Sequence, residues 1–503
     1  MRRYLLPIAV AGCLAAPGVA SASTIDVCPN PGECDFTKIQ AAVNASDPGD
    51  TVDVEAGRYQ ETVVVTKPLE INGAQSGADA RENRNGGESK VGAQNGGFVI
   101  TDDGDPGTPP PDGTVIDGFT IFRAGSSGGA STFDAGISIL FNPTPISGFR
   151  IVNNIITDNV FGLQLNSSGA SRTIIKRNSF SRNNNDGGEG DEQGNGIYTD
   201  TLASNVLIDR NDFTGHQNEA MLIKNQNPTL APPATGVDIL GNDLTDDSGI
   251  VVLNARAVRV NENESFGNVD DDVIDDDVIE MGGNVDGANI FDNDLEGYDG
   301  AAITVSDDRG AGVNRNIQII GNTLLGNNNV TSDRGVRLLG NTYDGHLDVA
   351  FNRIFRNDFG VANEDSDTNE QIKAENNWWG SNERPGTPPS DGVVGNVDTG
   401  PRLQMKLESK KSVKKNGRQL KVRASFQFNS TDEAGGGQRF NPSLFPDGTK
   451  VRFQTDRGRI SKRVETIGGV ADTVLVTKGS TGRTRIKASV DGETLKRKIR
   501  IRG

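Results

Sequence analysis

The chain has 503 residues, 68 of them Asp or Glu and 51 Lys or Arg, for a formal net charge of −17. With three cysteines and two histidines it is poor in the soft ligands that zinc clusters and haem need, which disfavours those chemistries. Charge divides the molecule: residues 401–503 carry 25 basic and 9 acidic residues, net +16, leaving 26 and 59 in residues 1–400, net −33. This predicts two domains with different partners.

Residues 1–22 read as an export signal. Arg2 and Arg3 give a basic start, an apolar stretch follows, and Ala20-Ser21-Ala22 is a small-residue cleavage site. The apolar part is shorter than the ~20 residues of a spanning helix, and no other segment is apolar enough to cross a bilayer. "VAGC" ending at Cys13 leaves a lipoprotein box as the second reading. An exported protein with Cys28 and Cys34 is expected to join them in one small disulfide loop. Next, 36–46 places Ile39, Ala42 and Val43 on one helical face, suited to capping an open apolar end. Segments 51–59, 61–74, 96–103 and 114–121 alternate as strands do.

From residue 149 one pattern recurs: apolar-x-apolar-x-x-Asn, usually with an apolar residue two positions later. Asn154, Asn178, Asn211, Asn242, Asn263, Asn293, Asn322, Asn352 and Asn377 occupy its key position, at intervals of 21 to 33 residues. A constant core with variable insertions predicts a solenoid with three short strands per coil: strand, Asn turn, strand, loop, strand. Ile151, Ile175, Ile208, Ile239, Val260, Ile290, Ile319 and Val349 are the expected internal ladder. The asparagines are expected to stack, their amides serving backbone groups left unpaired at the turn. Trp378 and Trp379 are placed at the far end. Residues 384–401 are a Pro/Gly-rich joint. Five strands, at 420–428, 449–455, 472–478, 484–490 and 494–502, then predict a β-sandwich over 402–503.

In these features residues 24–380 resemble the right-handed parallel β-helix proteins of the pectin-lyase-like superfamily. The capping segment is similar to the opening of many secreted members, and "NNWWG" at 376–380 is similar to a common final coil. "FPDGTKVRFQTDRGRI" and the segment from Gly469 resemble bacterial Ig-like repeats of invasin type, which in that family act as spacers or attachment modules. The expected class is therefore all-β: a solenoid over 23–383 and a basic Ig-like sandwich. That module's charge fits either an anionic surface polymer or docking against the acidic solenoid. Signatures of pectate lyases and polygalacturonases are missing, so the resemblance speaks to fold and leaves activity open.

Apolar residues of the third strand point inward, so those between them form an outward stripe: Gln164, Tyr198, Leu222, Val251, Glu280, Thr304, Arg337 and Ala362. Asp200 and Lys224 lie one pleat further on. Coils are ~4.8 Å apart, so Asp200 and Lys224 are expected as neighbours and Glu280 and Arg337 at ~10 Å. The resemblance implies that substrate crosses this face, with Gln164, Tyr198, Asp200 and Thr304 binding and Lys224, Glu280 and Arg337 as catalytic candidates. A lyase needs a base and a cation to stabilise its intermediate. A hydrolase needs two carboxyls ~5–9.5 Å apart. Solvated residues and local ion pairs are the plain reading of the same set. His216 and His346 read as turn residues. The run "DDDVIDDD" (Asp270, Asp271, Asp272, Asp275, Asp276 and Asp277) is placed in a loop beside Glu280, either as a solvated acidic rim or as calcium ligands, without EF-hand spacing.

Two readings of function follow. The first is a secreted or cell-surface protein that binds polysaccharide or a cell-envelope polymer. The alternative is a lyase or glycoside hydrolase acting on uronate-containing polysaccharide. No nucleic-acid partner is expected, and calcium is the one candidate cofactor.

Overall fold

The computed structural model describes residues 22–92, 96–122, 135–140, 145–184, 194–199, 201, 203–225, 233–247, 249–267, 277–307, 312–327, 333–340, 343, 347–364, 371–415, 418–477 and 481–503. Among these residues the first part of the chain winds into three parallel sheets of 14, 11 and 12 strands, each strand pairing with its equivalent one coil away. This is a right-handed parallel β-helix. The expected ladder is formed in register: Ile151 pairs with Ile175, and so on through Ile208, Ile239, Val260, Ile290, Ile319 and Val349. All are fully buried.

The Asn turns join the first sheet to the second. The backbone N–H of Asn154 donates to Oδ1 of Asn178 (2.9 Å), and the relay continues to Asn352, which donates to Asn377 (2.9 Å). Each Nδ2 also donates to a carbonyl of the ladder, as from Asn263 to Ile239 (3.0 Å). Each amide as far as Asn352 thus serves both neighbouring coils, and Asn377 closes the column on Val349 and Ala374, so it is buried without orphaned groups. The residue before each Asn takes the left-handed conformation, including non-glycines such as Arg177, Arg210, Glu262 and Asp292 (φ 53–57°). The Asn bonds and the stacked coil over-determine the turn and hold these strained residues in place.

One helix, Ile39–Ala45, caps the solenoid with Ile39, Ala42 and Val43 buried beneath it. Glu61 accepts the N–H groups of Ile39 and Gln40 at its open N-terminus (2.9 and 3.1 Å). Cys28 and Cys34 are joined in a disulfide, with Cα atoms 5.8 Å apart. Residues 384–401 add strands Gly392–Val394 and Val397–Asp398 to the third and first sheets, so this segment carries the solenoid on to the sandwich.

The C-terminal unit is a β-sandwich. Strands Leu403–Ser409, Gln419–Asn429 and Val470–Val476 make the smaller sheet. The larger holds Ser412–Lys414, Glu493–Arg502, Gly482–Val490, Lys450–Thr455 and Arg463–Glu465. Leu403–Ser409, with Leu403, Met405 and Leu407 inward, is a strand in addition to the five that the sequence predicts.

Its seat on the solenoid is built from aromatics and one buried ion pair. Trp379 packs in the solenoid core and its neighbour Trp378 in the sandwich core, edge-on to Phe426 (5.1 Å). Arg353 pairs with Asp491 (2.6 Å), which also accepts the indole N–H of Trp378 (2.8 Å). The acid in this contact belongs to the basic domain and the base to the acidic one. This contact therefore does not account for the sandwich's excess of positive charge.

Candidate functional site

The third sheet brings the outward stripe into a single row. Ser138, Gln164, Tyr198, Leu222, Val251, Glu280, Thr304, Arg337 and Ala362 are successive register partners. Its middle is closed. Gln164, Tyr198, Leu222, Val251, Glu280 and Thr304 are all buried, and Tyr198, Leu222 and Val251 pack with Ala135, Val160, Phe161 and Leu253 in a second, outer apolar cluster. Lys224 lies over the Tyr198 ring (5.2 Å). Glu280 accepts a hydrogen bond from Ser306 Oγ (2.5 Å). Arg337 pairs with Glu364 (2.8 Å). Burial raises the Glu364 pKa, but hydrogen bonds from Arg337 and Arg334 outweigh this and hold it below the ordinary value.

Lys224, Glu280 and Arg337 do not converge. Two strand steps separate the Lys224 strand from that of Glu280, and two more lead to Arg337, which sets each gap at ~10 Å. Asp200, His346 and Asp270 to Asp276 lie outside the described residues. Asp277 is buried, and its carboxylate accepts the backbone N–H of Ala301 (2.8 Å). Among the described residues, the one group close enough to hold a metal is Cys28, Cys34 and Glu55, and both sulfurs are in the disulfide.

His216 is a turn residue. It stands in a second internal column, after the second sheet, where Asn159 donates to Asn183 (2.8 Å), Asn183 contacts His216 Nε2 (3.0 Å) and His216 Nδ1 meets Asp247. The sequence holds this signal too, two residues after each second strand, but its mixed residue types hide it.

The second sheet offers a face of different character. Its outward positions bring Asp212, Asp243, Glu264 and Asp294 together as successive register partners. Partial burial, reinforced by Asp243 against the opposing pull of Arg81, pushes Asp212 up to about 6. Partial burial, then Glu296 and Glu264 against Arg353 and Lys450, does the same for Asp294. Beside them Phe266 is 64% exposed, between Thr245 and Glu296 in register. Residues 79–88 border one end, where Ala80 N–H donates to Arg177 and Arg84 donates to the Asn153 carbonyl (2.8 Å). The sandwich borders the other.

Sequence reasoning missed this face, although a signal was present. Where neighbouring coils read Asn-Asp-Leu-Thr and Asn-Asp-Leu-Glu, this coil reads Asn-Glu-Ser-Phe. The inward position holds Ser265, buried between Leu244 and Leu295, and the aromatic is turned to solvent. Exchanging the two residues would bury the phenylalanine, worth about 1.5–3 kcal/mol.

No family model matches the chain, and no curated protein matches it. Solved structures do. An alginate lyase from Paenibacillus sp. str. FPU-7 is 12% identical, with 75% of this chain and 99% of that one covered and a TM-score of 0.42. The tailspike protein gp49 of Acinetobacter baumannii bacteriophage Fri1, a capsular polysaccharide depolymerase, is 10% identical over 97% of this chain and 79% of its own, TM-score 0.43. The A-module of the mannuronan C-5 epimerase AlgE6 from Azotobacter vinelandii is 14% identical over 72% and 94%, TM-score 0.34. Those activities belong to those proteins.

Proposed function

We propose that this is an exported, surface-associated protein that binds polysaccharide along the second-sheet face, with the sandwich as an Ig-like attachment module. The observation that carries the reading is Phe266, held 64% exposed on a flat sheet of hydrogen-bonding side chains. An aromatic face takes the apolar side of a sugar ring, while the neighbouring carboxylates and Thr245 bond its hydroxyls. Four acids in a row repel a uronate chain, so the glycan here is neutral or amine-bearing. The division of the sandwich's first strands supports the Ig-like reading. Leu403–Ser409 pairs antiparallel in one sheet, and Ser412–Lys414 runs parallel to the last strand in the other.

The test is a glycan panel, assayed for binding and for new reducing ends and unsaturated products, with and without calcium. Binding that Phe266→Ala weakens by about tenfold, with no turnover, supports the proposal. Binding indifferent to this substitution refutes it. One observation favours hydrolysis as the second reading: Asp294, raised to about 6, is the register partner of Glu264. The two carboxyl groups stand on adjacent strands spaced ~4.8 Å apart, a spacing close to that of paired catalytic carboxyls. New reducing ends that Asp294→Asn and Glu264→Gln both abolish would establish that reading instead.

A further inference from the structure

The larger sheet of the sandwich turns a nearly uniform row of cations to solvent. Arg483 stands directly opposite Arg500, Arg485 opposite Lys498, and Lys487 opposite Lys496. All but the half-buried Lys487 are exposed. Arg452 faces Arg463 across the next pair of strands, and Lys414 faces Arg502 at the other edge. Ser412, Gln454, Ser489 and Thr494 occupy other outward positions, and Glu465 lies at the rim. None of the six paired cations has an ion-pair partner among the described residues.

Like charges directly opposed across strands destabilise a sheet, and the carboxylates nearest them, Asp456 and Glu465, form no ion pair with them among the described residues. They are not used for docking, where the sandwich contributes Asp491 and Glu493. We infer that this face is a binding surface for an acidic polysaccharide, a polymer carrying carboxylates along an extended chain. Cations recur ~4.8 Å apart across strands and about 7 Å apart along them, a flat grid suited to a straight polyanion. Arginines supply forked donors that match carboxylates. Among the described residues no exposed aromatic side chain stands on the face to stack a nucleic-acid base, and the apolar residue beside it, Ile460, is half-buried and so poorly placed to enter a lipid surface. This surface is separate from the Phe266 face and goes beyond the function proposed above: together they make the protein a bridge between two polymers.

The experiment measures binding of the full chain to polygalacturonate, a neutral glucan, double-stranded DNA and phosphatidylglycerol vesicles, each over a range of salt. We expect polygalacturonate to bind most tightly and to weaken as salt rises. The triple reversal Arg483→Glu, Arg485→Glu, Lys487→Glu lowers that affinity by about tenfold or more. The control Lys410→Glu, Arg418→Glu, Lys421→Glu makes the same change in net charge elsewhere on the sandwich and has little effect. The first triple places acids opposite cations, so its melting temperature is unchanged or higher; if it is lower, Arg485→Glu alone, opposite Lys498, replaces it. Equal losses in the two triples, no polygalacturonate binding at low salt, or tighter binding to DNA or vesicles would each overturn the inference. Phe266→Ala leaves polygalacturonate binding unchanged, so this surface and the glycan face fail or stand separately.

Discussion

The solenoid and the sandwich are made of the same short strands, yet they treat polar groups in opposite ways. The solenoid buries its asparagines in a column where each amide is satisfied by the coils on either side. The sandwich fills its interior with Val422, Phe426, Phe453 and Ile486 and puts most of its charge outside. A repeated structure always has a next copy to complete a hydrogen bond. A single sandwich has none, so each inward polar group needs its own partner: the Thr466 hydroxyl donates to the Pro446 carbonyl, while that of Thr473 has no partner among the described residues. Repetition is what makes a polar core affordable here.

The largest expected effect breaks the seam between the two. Asp491→Ala leaves Arg353 and the Trp378 indole without their acceptor in a mostly buried site and destabilises by about 3–5 kcal/mol. Calorimetry should then resolve two transitions in place of one; a single unshifted transition would show that the domains are not coupled here. Next comes Asn263→Ala, which removes the acceptor of two Asn242 donors and the donor to Ile239. A loss of about 3 kcal/mol in denaturant unfolding is expected, and a shift under about 0.5 kcal/mol would mean that the column is ornamental to stability.

The solenoid holds carboxylates raised by burial beside lowered ones such as Asp238 and Glu364, whereas those shifted in the sandwich, Asp432 and Asp472, are lowered. On the solenoid Asp212, Asp292 and Asp294 are raised to about 6 from 3.8. Between those values the folded chain holds more protons than the unfolded one, so this contribution is full below 3.8 and fades as pH climbs through 6. In the sandwich Arg423 holds Asp472 below its ordinary value, a contribution lost as pH falls. The solenoid should therefore melt at higher temperature at pH 5 than at pH 7, and Asp212→Asn with Asp294→Asn should flatten that rise. The smallest effect lies inside the sandwich. The Thr473 hydroxyl is buried with no hydrogen-bond partner among the described residues. Thr473→Val should be neutral or stabilising by up to about 1 kcal/mol, whereas destabilisation would reveal a partner.

The fold was legible because its rule repeats. Nine asparagines at one position, an aliphatic ladder and the Ile39–Val43 face carry the same pattern in sequence and in structure, since each answers to burial or strand period alone. The outward stripe was legible for the same reason: register follows from alternation. Its closure was not, because the apolar Tyr198, Leu222 and Val251 at outward positions show only that something covers them once burial is known. Phe266 was hidden by the regularity of the motif, in which one coil exchanges the inward and outward residues. The basic face was visible as net charge but not as a face, because opposition of Arg485 and Lys498 depends on how distant strands pair.

Tryptophan occurs twice in the chain, at adjacent positions, and the two rings point into different cores. The tryptophan fluorescence of this protein therefore comes entirely from the junction, with one emitter embedded in each domain. Trp378→Phe leaves a light that reports the last coil of the solenoid, and Trp379→Phe one that reports the sandwich. Without any added label, the order in which the two halves come apart can be read from colour alone.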